Sequence, residues 1–169
     1  LELHAPFASA SAIGDLNGDG QNDLALAHYQ GSTSFTTHSW LYWGKGNRSL
    51  EKAADGIGTS GATDVAIVGP QATNKGHVIF SNSRGGTVDE KVPLQVYWGS
   101  PRGFSPDSVW EIPFQSGYES SAADLNADGF TDLIVLNSGH GGVTTLSSPT
   151  LGANILWGSK NGLTLDSRT

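Results

Sequence analysis

The chain has 169 residues, 16 acidic against 9 basic side chains for a formal net charge of -7, 23 glycines and no cysteine. That length holds one domain with a real core, the acidity argues against nucleic acid as a partner, and the absence of cysteine rules out a disulfide framework without revealing a redox compartment. No stretch approaches the ~20 apolar residues of a membrane span, and frequent turn residues fit an all-β protein of short strands.

The chain begins with Leu1 rather than Met and shows no signal peptide, which points to a processed product or a piece of something longer. Small side chains over Ala8–Ala12 suit a strand at a crowded axis, with a flexible entry loop as the plainer alternative. Then comes Asp15-Leu16-Asn17-Gly18-Asp19-Gly20-Gln21-Asn22-Asp23, a D-x-N-x-D-G-x-x-D loop. Carboxylates at alternate positions of such a loop converge on a hard cation, and calcium takes about six to eight oxygen ligands. The expected ligands are Asp15, Asn17 and Asp19, the carbonyl of Gln21, and Asp23. Gly20 sits at the sharp turn, where a positive φ is expected. A loop of Asx turns that binds nothing is the bland alternative. An EF-hand would need an acid at the twelfth position and flanking helices. Here that position is Leu26, within an apolar run that reads as a strand.

Leu41-Tyr42-Trp43-Gly44 is an aromatic strand running into a glycine turn, followed by a sequon at Asn47-Arg48-Ser49. Gly56–Asp64 keeps a turn glycine (Gly61) and a last acid (Asp64) before Val65-Ala66-Ile67-Val68. It has Gly56, Gly58 and Ser60 where the other loop ligands would stand, and so reads as a worn, metal-free copy. Gly69–Lys91 reads as a long insert. Val96-Tyr97-Trp98-Gly99 repeats the aromatic turn, and Ser108–Phe114 reads as the strand after it. Asp124-Leu125-Asn126-Ala127-Asp128-Gly129-Phe130-Thr131-Asp132 then repeats the acidic loop. Its expected ligands are Asp124, Asn126, Asp128, the carbonyl of Phe130, and Asp132. A third Trp-Gly stands at Trp157-Gly158. The three tryptophans, Trp43, Trp98 and Trp157, are spaced by 55 and 59 residues, a period that marks stacked or radial repeats. The approximate units are 1–49, 50–107 and 108–169.

The D-x-N-x-D-G-x-x-D loops and the Tyr97–Phe104 turn resemble the FG-GAP and VCBS-type repeats of integrin-α-like β-propellers. The resemblance covers most of the chain. It implies four-stranded antiparallel blades, about three of them, as part of a larger propeller. It also implies Ca²⁺ in the hairpin between the first two strands of a blade, with the first strand ending near Asp15 or Asp124 and the second beginning at Asp23 or Asp132. A propeller closes with about four to eight blades, so further blades are expected from the same protein or another chain.

Beyond calcium, no nucleophile elbow, phosphate loop or cysteine–histidine pair appears. His28, His38, His77 and His140 have no partner at metal-ligand spacing. Asp89, Glu90 and Glu119 are the uncommitted acids. Phe35, Trp40, Tyr42 and Trp110 could stack on sugars, although packing between blades is the commoner use. The leading expectation is an extracellular, calcium-stabilised module for adhesion or recognition of a protein or glycan, acting through loops such as Gly69–Lys91 and Asn137–Gly152. The alternatives are a propeller part of a polysaccharide-active enzyme and a structural subunit of a surface assembly.

Overall fold

The computed structural model describes residues 2–68, 76–84, 92–100, 103–112, 117–137, 152–160 and 163–165. Thirteen strands account for its regular structure, and no helix occurs among the described residues. The first sheet comprises β1 (Ala8–Gly14), β2 (Asp23–His28), β3 (Thr36–Gly44) and β4 (Leu50–Lys52), with β5 (Ile57–Ser60) beside the first half of β3. The second is β6 (Ala62–Val68), β7 (His77–Asn82), β8 (Leu94–Ser100) and β9 (Gly103–Ile112). The third is β10 (Gly117–Ala123), β11 (Asp132–Asn137), β12 (Gly152–Trp157) and β13 (Thr164–Leu165). Every pairing is antiparallel and, apart from that of β5 with β3, joins strands consecutive in the chain, the meander of a propeller blade. Among the described residues no helix is long and apolar enough to cross a membrane.

Side-chain alternation builds two cores from one set of strands. Successive residues of a strand face opposite sides of the sheet. Val65, Val78 and Tyr97 therefore pack toward the first sheet, with Ala25, Leu41 and Leu16. Their chain neighbours Ala66, Ile79 and Val96 pack toward the third, with Leu133, Val135 and Leu156. The middle sheet is thus buried on both faces, which is why Val65–Val68 and Val78–Phe80 are continuous apolar runs rather than alternating ones.

The sheets divide the chain differently from the sequence reading. The boundaries fall at Gly61 and between 112 and 117, rather than at 49/50 and 107/108, because each outermost strand pairs with the preceding strands. The expected middle loop, 56–64, is not a hairpin loop. Ile57–Ser60 is β5 of the first sheet, and Asp64 lies inside β6. Val65–Val68, read as the second strand of that unit, belongs to its first. Nor is Gly69–Lys91 an insert, since it contains β7, all six residues of which are buried. The hairpin that corresponds to the acidic loops runs from Val68 to His77. Its residues 69–76 carry no acid at all, and 69–75 lie outside the described residues.

Candidate metal centre

Both acidic loops connect the first two strands of a sheet. β1 ends at Gly14, β2 begins at Asp23, and the two residues pair. β10 ends at Ala123, β11 begins at Asp132, and these pair likewise. Gly20 and Gly129 take φ of 81° and 88°, as their turn positions require, and Gly18 takes 79°. Ala127 occupies the position of Gly18 with φ 59°, a left-handed conformation that costs an L-residue about 1–2 kcal/mol.

Side-chain oxygens organise each turn. In the first loop the N–H groups of Gly18 and Gly20 donate to the two oxygens of Asp15, at 2.7 and 2.9 Å. Asp19 N–H donates to Asn17 Oδ1 at 2.9 Å, and Gln21 N–H to Asp19 Oδ1 at 2.8 Å. The Asn17 amide donates to Asp19 Oδ2 at 3.1 Å. The second loop repeats the scheme. Gly129 N–H donates to Asp124 at 2.9 Å, Asp128 N–H to Asn126 Oδ1 at 3.0 Å, Phe130 N–H to Asp128 at 2.9 Å, and the Asn126 amide to Asp128 at 2.9 Å. Asp128 N–H also reaches Asp124 Oδ1 at 3.1 Å.

The last acid of each loop acts differently from the others. Asp23 is fully buried. Its Oδ2 accepts Leu16 N–H at 2.9 Å and its Oδ1 accepts Gly44 N–H at 2.8 Å. Asp132, also fully buried, accepts Leu125 N–H at 2.9 Å and Gly158 N–H at 2.7 Å. Each carboxylate thus ties the start of its loop to the Trp-Gly turn at the end of the sheet's third strand. The glycine there is needed for close approach, because a Cβ on Gly44 would run into the carbonyl of Asn22, and one on Gly158 into that of Thr131. The sequence reading treated loop and Trp-Gly turn as separate motifs, and the structure makes them one.

Among the described residues no three acidic or histidine side chains converge as a metal cage. Asp15 and Asp19 point to the loop's own N–H groups, and Asp23 points inward to its two anchors. The donor chemistry nevertheless suits a hard cation, being all oxygen, with a carboxylate offering about four lone-pair sites of which two are used at Asp23. Burial raises the Asp23 pKa above the usual carboxylate range against the lowering effect of the Gly44 and Leu16 N–H groups, and the charges of Asp19 and Asp15 raise it further. The loop therefore gathers negative charge that a bound cation would neutralise. Lys45, ion-paired to Glu51 at 2.7 Å, feels Asp19 and Asp23 as well. The place of Lys45 after Gly44 is taken in the third sheet by Ser159, after Gly158.

The other candidates are spread out. His28 ends β2, His38 lies within β3, and His77 begins β7 in the register position of Asp23 and Asp132. His140, Asp89 and Glu90 lie outside the described residues, as do positions 138–151 of the second expected recognition loop. Tyr42 is buried, Trp110 packs against the core between the second and third sheets, and Trp40 lies beneath Lys52, whose Nζ is 3.2 Å from the ring centroid. None of these three is an open stacking platform. The fourth candidate, Phe35, belongs to a cluster at the strand ends opposite the acidic loops whose other members the sequence reading missed. Tyr29 and Phe35 stack edge to face at 5.2 Å, Arg84 lies 5.4 Å over Phe35, and exposed Phe7 accepts the Tyr29 N–H at its carbonyl. Only the tertiary pairing of sheets brings Arg84 there, so no local sequence signal marks it.

The FG-GAP repeat family matches residues 7–39, which span β1, the first acidic loop, β2 and the start of β3. No curated protein matches the chain.

Proposed function

We propose that the chain is a calcium-binding, extracellular β-propeller segment that recognises a protein or glycan, with the ions serving to fix the blades rather than to perform chemistry. The observation that carries this reading is the pairing of two loops of identical donor pattern, each closed on its sheet by a buried aspartate. Asp15, Asn17, Asp19 and the Gln21 carbonyl would hold one ion, and Asp124, Asn126, Asp128 and the Phe130 carbonyl the other. The remaining lone pairs of Asp23 and Asp132 would complete the two sets. Bound calcium would supply charge neutralisation and a fixed loop conformation. The FG-GAP match over the first loop supports the same assignment. For recognition, the exposed Phe7 and the Tyr29–Phe35–Arg84 cluster offer an aromatic and cationic surface on a rigid scaffold.

Isothermal calorimetry with Ca²⁺ tests the metal reading. Two sites are expected for the native chain and one each for Asp19→Ala and Asp128→Ala, while Ser60→Ala keeps both. Equal stoichiometry in all of them would overturn the assignment. Glycan and protein arrays probed with the native chain and with Arg84→Ala test the recognition surface, and binding indifferent to Arg84 would move that surface elsewhere.

A further inference from the structure

The three sheets are copies in a common register. β1, β6 and β10 each carry one register shift against their partner strand, between Ala8 and Ala10, Ala62 and Asp64, and Gly117 and Glu119. Counting from that shift aligns Ala10 with Asp64 and Glu119, Ser11 with Val65 and Ser120, Ile13 with Ile67 and Ala122, and Ala27 with Ser81 and Leu136. Leu16 aligns with Leu125 in the two acidic loops.

Both junctions between sheets join the same two faces. The forward face of one sheet, carrying Leu16 and Ala27 in the first, meets the rear face of the next, carrying Val65 and Ile67 in the second. At the second junction Val68 and Ile79 face forward and meet Leu133, Val135 and Ala122. Among the described residues this leaves the rear face of the first sheet and the forward face of the third without a counterpart. The exposed large apolar side chains collect on those two faces. Leu125 is 45% exposed where Leu16 is 1%, and Leu136 is 40% exposed where Ala27 is fully buried. Ile13 is 70% exposed where Ile67 packs against a core. Among the described residues only Phe7 is an exposed large apolar side chain elsewhere.

A polar pair points the same way. At the second junction Asp64 Oδ2 accepts both the N–H and the hydroxyl of Ser120, at 2.6 and 2.8 Å. The first junction has Ala10 and Val65 at these positions and no such pair. The two free faces have them again, with Glu119 at the acid's position on the third sheet and Ser11 at the serine's position on the first.

We propose that the forward face of the third sheet docks on the rear face of the first sheet of a second copy of this chain, head to tail. Three sheets are too few to close on themselves, since propellers close with about four to eight blades. Two copies supply six, three from each, and a two-fold axis makes both new junctions identical. Glu119 of one copy then bonds to Ser11 of the other, and Ile13, Leu125 and Leu136 leave water. One contact is not carried over. The carbonyl of Leu16 accepts the N–H of Gly76 at 3.1 Å. Asn22 stands where Gly76 does, and a Cβ at Gly76 would lie 2.7 Å from the Leu16 carbonyl oxygen. The loop of Leu125 therefore meets its neighbour through side chains.

The test is sedimentation equilibrium of the whole chain in saturating Ca²⁺ and again in chelator, with circular dichroism as the control for folding. The native chain is expected to be a dimer. Ile13→Asp and Leu136→Asp are each expected to be monomeric with unchanged spectra. An equimolar mixture of these two variants is expected to pair again, because one junction between two intact faces remains. Glu119→Lys should weaken the dimer at least tenfold, and adding Ser11→Asp should restore it. A native chain that stays monomeric at high micromolar concentration would overturn the proposal. So would dissociation by Ile13→Asp but not by Leu136→Asp, which indicates first sheets pairing with each other, or a mixture that fails to pair.

Discussion

The N–H of Gly44 is bonded to the carboxylate of Asp23, 21 residues earlier in the chain, at 2.8 Å. The same bond joins Gly158 to Asp132. These aspartates are structural anchors whether or not an ion is bound, unlike the three polar residues that precede each of them at alternate positions. Asp23→Ala should therefore lower stability in chelator, by about 1–3 kcal/mol for the buried N–H groups left unpaired. Asp19→Ala should leave stability in chelator almost unchanged and remove the first site's share of the gain on adding Ca²⁺. That share is about 2.7 kcal/mol for one site at a hundredfold excess over its dissociation constant. Urea titrations of the two variants with and without Ca²⁺ read the difference, and identical behaviour would refute the division of roles.

Ala127 holds a left-handed φ of 59° at the position where the first loop has glycine. Ala127→Gly should raise stability by about 0.5–1 kcal/mol, because strain relieved outweighs the entropy glycine adds to the unfolded chain. Thermal melts in chelator check this, and a lower melting temperature would show that the turn is unstrained.

The two loops differ in their cationic neighbours, since the charges of Asp19 and Asp23 act on Lys45 at the first loop while Ser159 stands at the matching place in the third sheet. Lys45→Ser should tighten Ca²⁺ at the first loop a few-fold at low salt, with the effect fading at high salt. Site-resolved titration by nuclear magnetic resonance, following the Gly20 and Gly129 amides, separates the two sites.

The Tyr97 hydroxyl donates to the carbonyl of Gly58 in the neighbouring sheet at 2.8 Å. Burial pushes its pKa from 10.0 up to about 12, with the charge of Glu111 adding to the rise. A raised pKa means that the folded state favours the protonated phenol. The stabilisation is complete below pH 10 and is lost as pH climbs through about 12. Absorbance titration at the phenolate band should show one tyrosine ionising late. Tyr97→Phe should remove that component and cost about 1 kcal/mol at neutral pH.

The boundaries of the acidic hairpins were legible in the sequence because the D-x-N-x-D-G-x-x-D pattern is local. β2 and β11 begin at the last aspartate, and β3 ends at the glycine of Trp43-Gly44. The middle hairpin was misplaced because Asp64 followed by Val65–Val68 imitates an acid leading into a strand, whereas the true second strand begins at His77 with no acid to mark it. The interval from Asp15 to Asp124 is 109 residues, and half of it lands near Gly69 rather than Gly56, which is the signal that would have found it. The anchoring role of Asp23 was not legible, since its partner Gly44 is brought in only by the pairing of β2 with β3.

The first sheet's outer edge is made of two pieces, β4 and β5, separated by an exposed turn at Ala54 and Asp55, and β5 runs through the single residue Gly61 into β6. A protease nick in that turn would give one fragment that keeps β4 but lacks the β5 half of its border, and another carrying β5 as an overhang. The overhang still matches the groove it left. Separately expressed fragments divided at Asp55 should therefore find each other and reconstitute, so that this turn is a natural place to split the protein into a reporter pair.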